Sequence, residues 1–513
     1  MADESANKRI AKNTIFLYFR SLLIMAISLF SSRIILQVLG VDDYGLYGAI
    51  GSIVMMFSII NNTLAVGTSR FLTFELGQND NERLKKTFSA AFAMHVAMAL
   101  FLLILLESVG LWFVNYKMQI PEGRAFAANV IFQLSIVSCM FSLTQVPYNA
   151  LIIAHEKMSV YAYVGIVEAV FKLALIFVLL YIPFKDNLIA YGIILAAWSI
   201  GLQIFYRFYC RKHFAESKLE ICRDKSIYKG MLTYSLWDFV GQFCATGNGH
   251  GLNVLINMFF GVTVNAGRVV AYQVENAIST FTQNFLTAVN PQIVKSYAAG
   301  DVERFKFLIN ESSRLSFYLL FVVSLPVFLE APYILSIWLI EVPETSVYFL
   351  RFALYYSVFR ICTRSFVLGT HATGDVKYLN LTSGCYSAGT FLLAIYIAYK
   401  LGAPYWACMV VQGFNGIILT YLEFNSLRRK VPFSIKRTFW GNVLKPWFTA
   451  LICCIIPGLE LYYLEESFTR LLIVAATVFT SAPLIIYANG LKKNEKEYVK
   501  SILKEKVLGR LKK

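Results

Sequence analysis

The chain has 513 residues, of which 57% are hydrophobic and only 15% are charged, and its mean hydropathy is +0.58. These few polar residues cannot cover the surface of a water-soluble protein of this size. The composition therefore predicts a multispan membrane protein. The formal net charge of +16 does not indicate a nucleic-acid partner, because the basic residues cluster in loops between apolar segments.

Fourteen apolar segments are each long enough to cross a hydrocarbon core, which takes about 20 helical residues. We place these spans, in chain order, at residues 13–39, 43–67, 87–113, 125–153, 159–182, 187–210, 229–260, 265–290, 312–339, 346–371, 378–400, 404–426, 441–463 and 468–490. The first segment is a full span without a small-residue cleavage site, so we expect it to be retained. The pattern predicts an all-α integral membrane fold of about 14 transmembrane helices.

Most of the 47 lysines and arginines fall in the N-terminus, in alternate loops and in the C-terminal tail. The richest loops are residues 211–229, 295–314 and 428–445, whereas the opposite loops are acidic. This bias predicts that both termini of the multi-pass protein are cytoplasmic. The tail at residues 491–513 is basic and amphipathic, so we expect it to lie on the anionic inner leaflet.

An internal repeat organises the spans, because residues 40–85 recur as residues 261–306, a shift of 221 positions. Gly40-Val41 matches Gly261-Val262, and the polar run from Asp80 to Lys85 matches the run from Asp301 to Lys306. Six spans per copy is an even number, which predicts parallel repeats that form two six-helix lobes. The predicted domains are therefore residues 1–226, residues 227–427, an appendage of two helices at 428–490 and the tail at 491–513.

Charged side chains within spans are costly and therefore mark candidate sites. Arg360 and Arg364 lie one turn apart in span 10, so two guanidinium groups on one face would suit a phosphate. The alternative is that Arg364 reaches the membrane interface and Arg360 pairs with an acid on a neighbouring helix. Arg20 and Arg33 in span 1 either anchor that helix at the two interfaces or line a cavity.

Glu168 and Lys172 lie one turn apart in span 5. They form either a neutral structural pair or a switch, in which an arriving anion takes Lys172 and leaves Glu168 to be protonated. Asp238 in span 7 and Glu275 in span 8 are the acids that we expect to couple transport to protons or sodium ions.

Three glycines interrupt span 7, namely Gly247, Gly249 and Gly251. They predict a bend or an unwound stretch that acts as a hinge or a cavity wall, with close helix packing as the alternative. No nucleotide-binding or metal-ligand motif occurs, so we expect no cofactor and no direct use of ATP.

Three segments carry a family resemblance: residues 39–47 (LGVDDYGLY), residues 147–158 (PYNALIIAHEKM) and residues 338–344 (WLIEVPE). They resemble the O-antigen, or Wzx-type, flippases of the multidrug/oligosaccharidyl-lipid/polysaccharide (MOP) exporter superfamily. The resemblance implies a two-lobed fold like that of MATE exporters and peptidoglycan-precursor flippases. It further implies alternating access, driven by an ion gradient, that moves polyprenyl-diphosphate-linked oligosaccharides to the external leaflet for surface polysaccharide assembly.

The resemblance also implies a basic cavity, which Arg20, Arg33, Lys172, Arg360 and Arg364 would supply, and an association with polysaccharide polymerase or glycosyltransferase machinery. One rival is an ion-coupled drug or cation antiporter of the same superfamily, whose cavity would favour acids and aromatic residues. A membrane O-acyltransferase would need a histidine beside a cavity, and a polymerase a large external loop. The excess of arginines within spans favours a transporter of an anionic lipid, and we expect no enzyme activity.

Overall fold

The structure is a computed structural model, and it describes residues 13–24, 58–116, 122–181, 184–246, 262–339 and 344–492, with a few isolated positions between these ranges. In chain order the helices are α1 Asn13–Ile24, α2 Ser58–Gln78, α3 Asn81–Tyr116, α4 Ala125–Ala154, α5 Met158–Tyr181, α6 Asn187–His213, α7 Lys225–Thr246, α8 Val262–Ala298, α9 Val302–Leu329, α10 Ala331–Trp338, α11 Glu344–Thr373, α12 Lys377–Lys400, α13 Trp406–Arg428, α14 Ile435–Tyr463 and α15 Phe468–Gly490. Within these ranges there is no β-strand.

The predicted all-α fold is confirmed, and a helix lies on each predicted span wherever the chain is described. Nine of the described helices are long and apolar enough to cross a membrane. Span 9 is divided between α9 and α10, where Glu330 separates the two helices. Helix α2 extends about three turns beyond the predicted end of span 2, from residue 67 to Gln78.

The two copies of the repeat share a turn geometry that the sequence match at Asp80 and Asp301 anticipated. Both aspartates cap the following helix, and each Oδ1 accepts a hydrogen bond of 2.9 Å from the backbone N–H three residues on. The preceding residues, Asn79 and Gly300, both have left-handed backbones, with φ of +58° and +73°. Asparagine and glycine are the residue types that adopt this conformation most easily, so the turn was retained in both copies.

The helices group into two compact units. Unit 1 contains Met1–Cys244, Thr287–Phe305 and Thr370–Gly384, and unit 2 contains Ala245–Leu286, Lys306–Gly369 and Cys385–Lys513. The units reflect spatial contacts, whereas the lobes that we predicted follow the repeat, so the lobes stay a prediction.

Each unit has its own apolar core. In unit 1, Phe132 and Leu188 are fully buried between α4 and α6. In unit 2, Gly369 of α11 allows close packing, because a Cβ there would lie 2.5 Å from the side chain of Ile309 on α9. Large apolar side chains such as Leu236 and Phe448 are more than 60% exposed, as expected of side chains that face lipid.

Candidate substrate and ion-coupling sites

Arg20 projects from α1 against α5 in unit 1. Its guanidinium carbon lies 4.5 Å from the ring centroid of Tyr161, a cation–π arrangement. Gly165 makes this approach possible, because a Cβ at that position would lie 2.3 Å from Arg20 Nε. Arg20 has no ion-pair partner among the residues that the structure describes, and its buried Nε has no hydrogen-bond acceptor there. It therefore carries a positive charge that a ligand could use.

The residues around Arg20 form one stripe of α5. Tyr161, Gly165, Glu168 and Lys172 follow the spacing that places side chains on one helix face. Lys172 Nζ donates a hydrogen bond of 2.7 Å to Glu168 Oε1, and both side chains are partly exposed. The predicted pair is thus present, and its two charges neutralise each other on the same helix face as Tyr161 and Gly165, which contact Arg20. Arg33 lies outside the described residues.

Arg360 of α11 forms an ion pair with a residue of a neighbouring helix in unit 2. Its guanidinium donates to the carboxylate of Glu423 on α13 and to Thr420 Oγ1 at 3.3 Å. Only 19% of the Arg360 side chain and 9% of the Glu423 side chain are exposed. Arg364, one turn on, also has an interaction partner, and it is exposed. The arrangement at Arg360 is therefore the alternative that we weighed, a pair with an acid on an adjacent helix.

Glu275 of α8 is the most unusual of the candidate coupling acids. It is 8% exposed, and its carboxylate accepts hydrogen bonds from the hydroxyls of Ser279 and Ser357. In the described part of the chain, no lysine or arginine lies within ion-pair distance of it. A buried carboxylate beside two hydroxyl groups offers oxygen ligands of the kind that hard cations prefer.

Asp238 of α7, in unit 1, is only 2% exposed. Its Oδ1 lies 3.7 Å from His371 Nδ1, and the same nitrogen lies 2.7 Å from the hydroxyl of Tyr234. Asp238 therefore belongs to a packed polar cluster in which a histidine can share its charge. The predicted hinge glycines Gly247, Gly249 and Gly251 lie outside the described residues.

Two further arginines, one in each unit, were not among the predicted site residues. Arg70 Nη2 donates to the carbonyl oxygen of Ala372 at 3.1 Å, and its guanidinium lies 4.6 Å from the ring centroid of Phe71. Arg268 stacks on Tyr272 at 4.3 Å and borders an enclosed space of about 10 Å³, room for roughly one water. Arg268 falls inside predicted span 8, so its charge was a readable signal. Arg70 lay beyond the predicted end of span 2.

Glu156 was noted only as part of a motif, but the structure gives it a central place in unit 1. It follows α4 with a left-handed backbone, at φ +59°, and its side chain is 1% exposed. Both Gln292 Nε2 and Lys295 Nζ of α8 donate to it at 2.7 Å. This contact joins the end of α4 to α8, two helices that the predicted domains assign to different lobes. We call Glu156, Gln292 and Lys295 the latch.

No cluster of three or more metal-ligating side chains occurs among the described residues. No protein-family model matches the chain, and no curated protein matches its sequence.

Solved structures do match. A multidrug resistance MATE family transporter of the MOP superfamily, in an outward-facing conformation, is similar with a TM-score of 0.68 and 14% identity, over 84% of this chain and 97% of that one. A MATE structure in a straight conformation gives 0.70 and 12%, over 84% and 97%. A MOP superfamily transporter from Pyrococcus furiosus, described as having a binding pocket of reverse polarity that suggests a different function, gives 0.67 and 13%, over 83% and 97%. The chain therefore has the fold of MATE transporters and is a multi-pass membrane protein.

Proposed function

We propose that this protein is a flippase that moves polyprenyl-diphosphate-linked oligosaccharides from the cytoplasmic to the external leaflet by alternating access. In this proposal it acts in the bacterial inner membrane with both termini in the cytoplasm. Its product would supply a polysaccharide polymerase, and glycosyltransferases would supply its substrate.

The observation that supports the proposal best is the state of Arg20. A guanidinium group within the membrane that has no carboxylate partner in the described part of the chain is expensive unless it serves an anion. It keeps its positive charge at any physiological pH and can donate two parallel hydrogen bonds to phosphate oxygens. The Tyr161 ring orients it from one side, which reduces the entropy that binding would cost.

The charge of the substrate-binding pocket should distinguish transporters of anionic substrates from transporters of cationic substrates within this fold. The Pyrococcus furiosus transporter is described as having a binding pocket of reverse polarity that suggests a different function. By the same reasoning, Arg20 of α1 favours an anionic substrate, because it has no ion-pair partner in the described part of the chain. Lys172 lies two turns beyond Gly165 on the same stripe of α5, and it would add a second cation once an arriving anion takes it from Glu168.

Energy for the cycle would come from ions that enter at Glu275. A proton or sodium ion that descends the membrane potential yields about 2.3 kcal/mol per 100 mV. One or two ions therefore suffice to bias states that differ by a few kcal/mol. Opening of the cytoplasmic side would require the latch to break, because Glu156 and Lys295 lie in different predicted lobes.

The experiment is complementation of a flippase-null strain that makes a defined lipid-linked glycan. We expect the wild-type chain and Arg223→Ala, a control at an exposed loop arginine, to restore surface polysaccharide. We expect Arg20→Ala to lower surface polysaccharide at least tenfold at equal membrane abundance, since a charge-assisted hydrogen bond is worth about 1.5–3 kcal/mol. Full complementation by Arg20→Ala would reject the role of this residue.

A second candidate function is an ion-coupled drug or cation antiporter, and Glu275 is the observation that favours it. A buried carboxylate that has no cationic partner among the described residues could bind a cationic substrate as well as an ion. Dye efflux from cells that express the chain discriminates the two functions. Efflux that Glu275→Gln abolishes and Arg20→Ala leaves intact would favour the antiporter.

A further inference from the structure

A cavity of about 500 Å³ opens in unit 1, where the first turns of α7 meet the turn that precedes α12. Its lining includes Ser226, Lys229, Thr233 and Trp237 from α7, and Asp375 and Lys377 from the turn and the start of α12. None of these residues belongs to the Arg20 or Glu275 sites. By the distribution of basic residues, this end of α7 is the cytoplasmic one.

The charges in the cavity favour an anion. Lys229 and Lys377 are exposed, and neither has an ion-pair partner in the part of the chain that the structure describes. Lys377 Nζ lies 4.7 Å from the ring centroid of Trp237, which directs the ammonium group into the cavity. Asp375 is the only acid among the described residues of the lining, and with Lys229 and Lys377 these residues carry a net positive charge.

A third cation lies directly behind the cavity wall. Gly374 has φ +81°, and a Cβ at this position would lie 2.6 Å from Nη2 of Arg70. Arg70 is bound by a backbone carbonyl and by aromatic rings, and no carboxylate in the described residues lies within ion-pair distance of it. Its charge therefore adds to the positive potential of the cavity.

The surroundings indicate a lipid rather than a soluble anion. Leu232 and Leu236 follow Lys229 by one and two turns of α7, and 48% and 65% of their surfaces are exposed. Acyl chains can lie along such a face while a phosphate remains at the membrane surface. Trp237 has an apolar ring and one N–H donor, a combination that is common at the level of lipid headgroups.

We propose that this cavity binds the phosphate headgroup of an anionic membrane lipid, with Lys229 and Lys377 as its ligands. The site is independent of the transported substrate, and it would hold α7 and α12 at a fixed depth on the inner leaflet. An anionic leaflet supplies this ligand constantly, so the site is occupied throughout the transport cycle.

Native mass spectrometry of the full chain from nanodiscs that contain phosphatidylglycerol and phosphatidylcholine tests the proposal. We expect the wild type to retain phosphatidylglycerol in preference to phosphatidylcholine. In Lys229→Gln/Lys377→Gln, we expect the affinity for phosphatidylglycerol to fall about 25-fold, since each lysine near an anionic surface contributes a factor of about five. Lys212→Gln/Lys225→Gln removes two exposed lysines outside the cavity and should retain the lipid.

Three outcomes would overturn the proposal: equal retention in both double variants, equal binding of phosphatidylcholine by the wild type, or complete displacement of the lipid by inorganic phosphate, which would assign the cavity to a soluble anion. If Lys229→Gln/Lys377→Gln does not fold, the affinity of Asp375→Asn for phosphatidylglycerol tests the proposal instead. Removal of the only lining carboxylate should raise the affinity for phosphatidylglycerol about fivefold, and an unchanged or lower affinity would contradict the site.

Discussion

Gly77 at the end of α2 and Ala298 at the end of α8 occupy equivalent positions in the two copies of the repeat, and they pack against each other. A Cβ at Gly77 would lie 2.7 Å from Ala298 Cβ and 2.9 Å from Lys295 Cα. In the predicted arrangement of parallel repeats, equivalent residues that touch lie next to the axis that relates the two copies. The contact therefore holds the ends of α2 and α8 against each other. Glycine allows this close approach because it has no Cβ.

A cysteine pair at these positions should trap that contact. In a background without the nine native cysteines, we expect Gly77→Cys/Ala298→Cys to form a disulfide with mild oxidant. A disulfide needs Cβ atoms about 3.8 Å apart, so the two helix ends have to separate by only about 1 Å from the 2.7 Å of the present contact. The bond should stop transport, and a reductant should restore it. Gly201→Cys/Ala298→Cys is the control, since nothing lies within 4 Å of a Cβ at Gly201. Transport by the fully crosslinked protein would show that this end does not open.

The latch should stabilise the same closed end. Glu156→Gln removes the ion pair with Lys295, so we expect the free energy of unfolding to fall by about 1–3 kcal/mol. We also expect faster alkylation of a cysteine placed at Ala298, because the open state becomes more populated. Glu156→Gln/Lys295→Met leaves no unpaired charge and should recover most of the stability. Equal alkylation rates in wild type and Glu156→Gln would contradict the latch.

The apolar segments predicted the positions of the helices, because a helix that crosses the hydrocarbon core needs about 20 consecutive, mostly apolar residues. Arg70 was missed since the hydrophobic signal ends near residue 67, whereas α2 continues to Gln78. The sequence predicted that Arg360 could pair with an acid on a neighbouring helix, but it could not identify Glu423. Whether Glu423 faces α11 depends on the rotation of α13 about its axis. The latch could not be predicted at all, since Glu156 and Lys295 are 139 positions apart and come together only in the folded chain.

The pair of Arg360 and Glu423 should be important chiefly for stability. Because both side chains are largely buried, Arg360→Ala leaves an uncompensated carboxylate, and we expect a loss of about 3–5 kcal/mol. Arg360→Met/Glu423→Leu should lose far less and should still transport. Thermal unfolding in detergent measures the first effect and complementation the second. A stable Arg360→Ala variant that fails to transport would instead place Arg360 in the substrate site.

Gly165 should control the position of Arg20. A methyl group at this position would displace the guanidinium from Tyr161, so we expect Gly165→Ala to reduce transport at least severalfold while the protein stays folded. Gly201→Ala, in the open environment of α6, is the matched control and should be neutral or slightly stabilising. Equal transport by the two variants would mean that the position of Arg20 is unimportant.

The central claim is that Arg20 binds the diphosphate of the transported lipid, and flipping of a polyprenyl-diphosphate-linked glycan in proteoliposomes measures it most directly. We predict that Arg20→Ala lowers the flipping rate at least tenfold, that Arg20→Lys lowers it less, and that added polyprenyl diphosphate raises the melting temperature of the wild type but not of Arg20→Ala. A wild-type flipping rate in Arg20→Ala, together with an unchanged melting response to the ligand, would contradict the account.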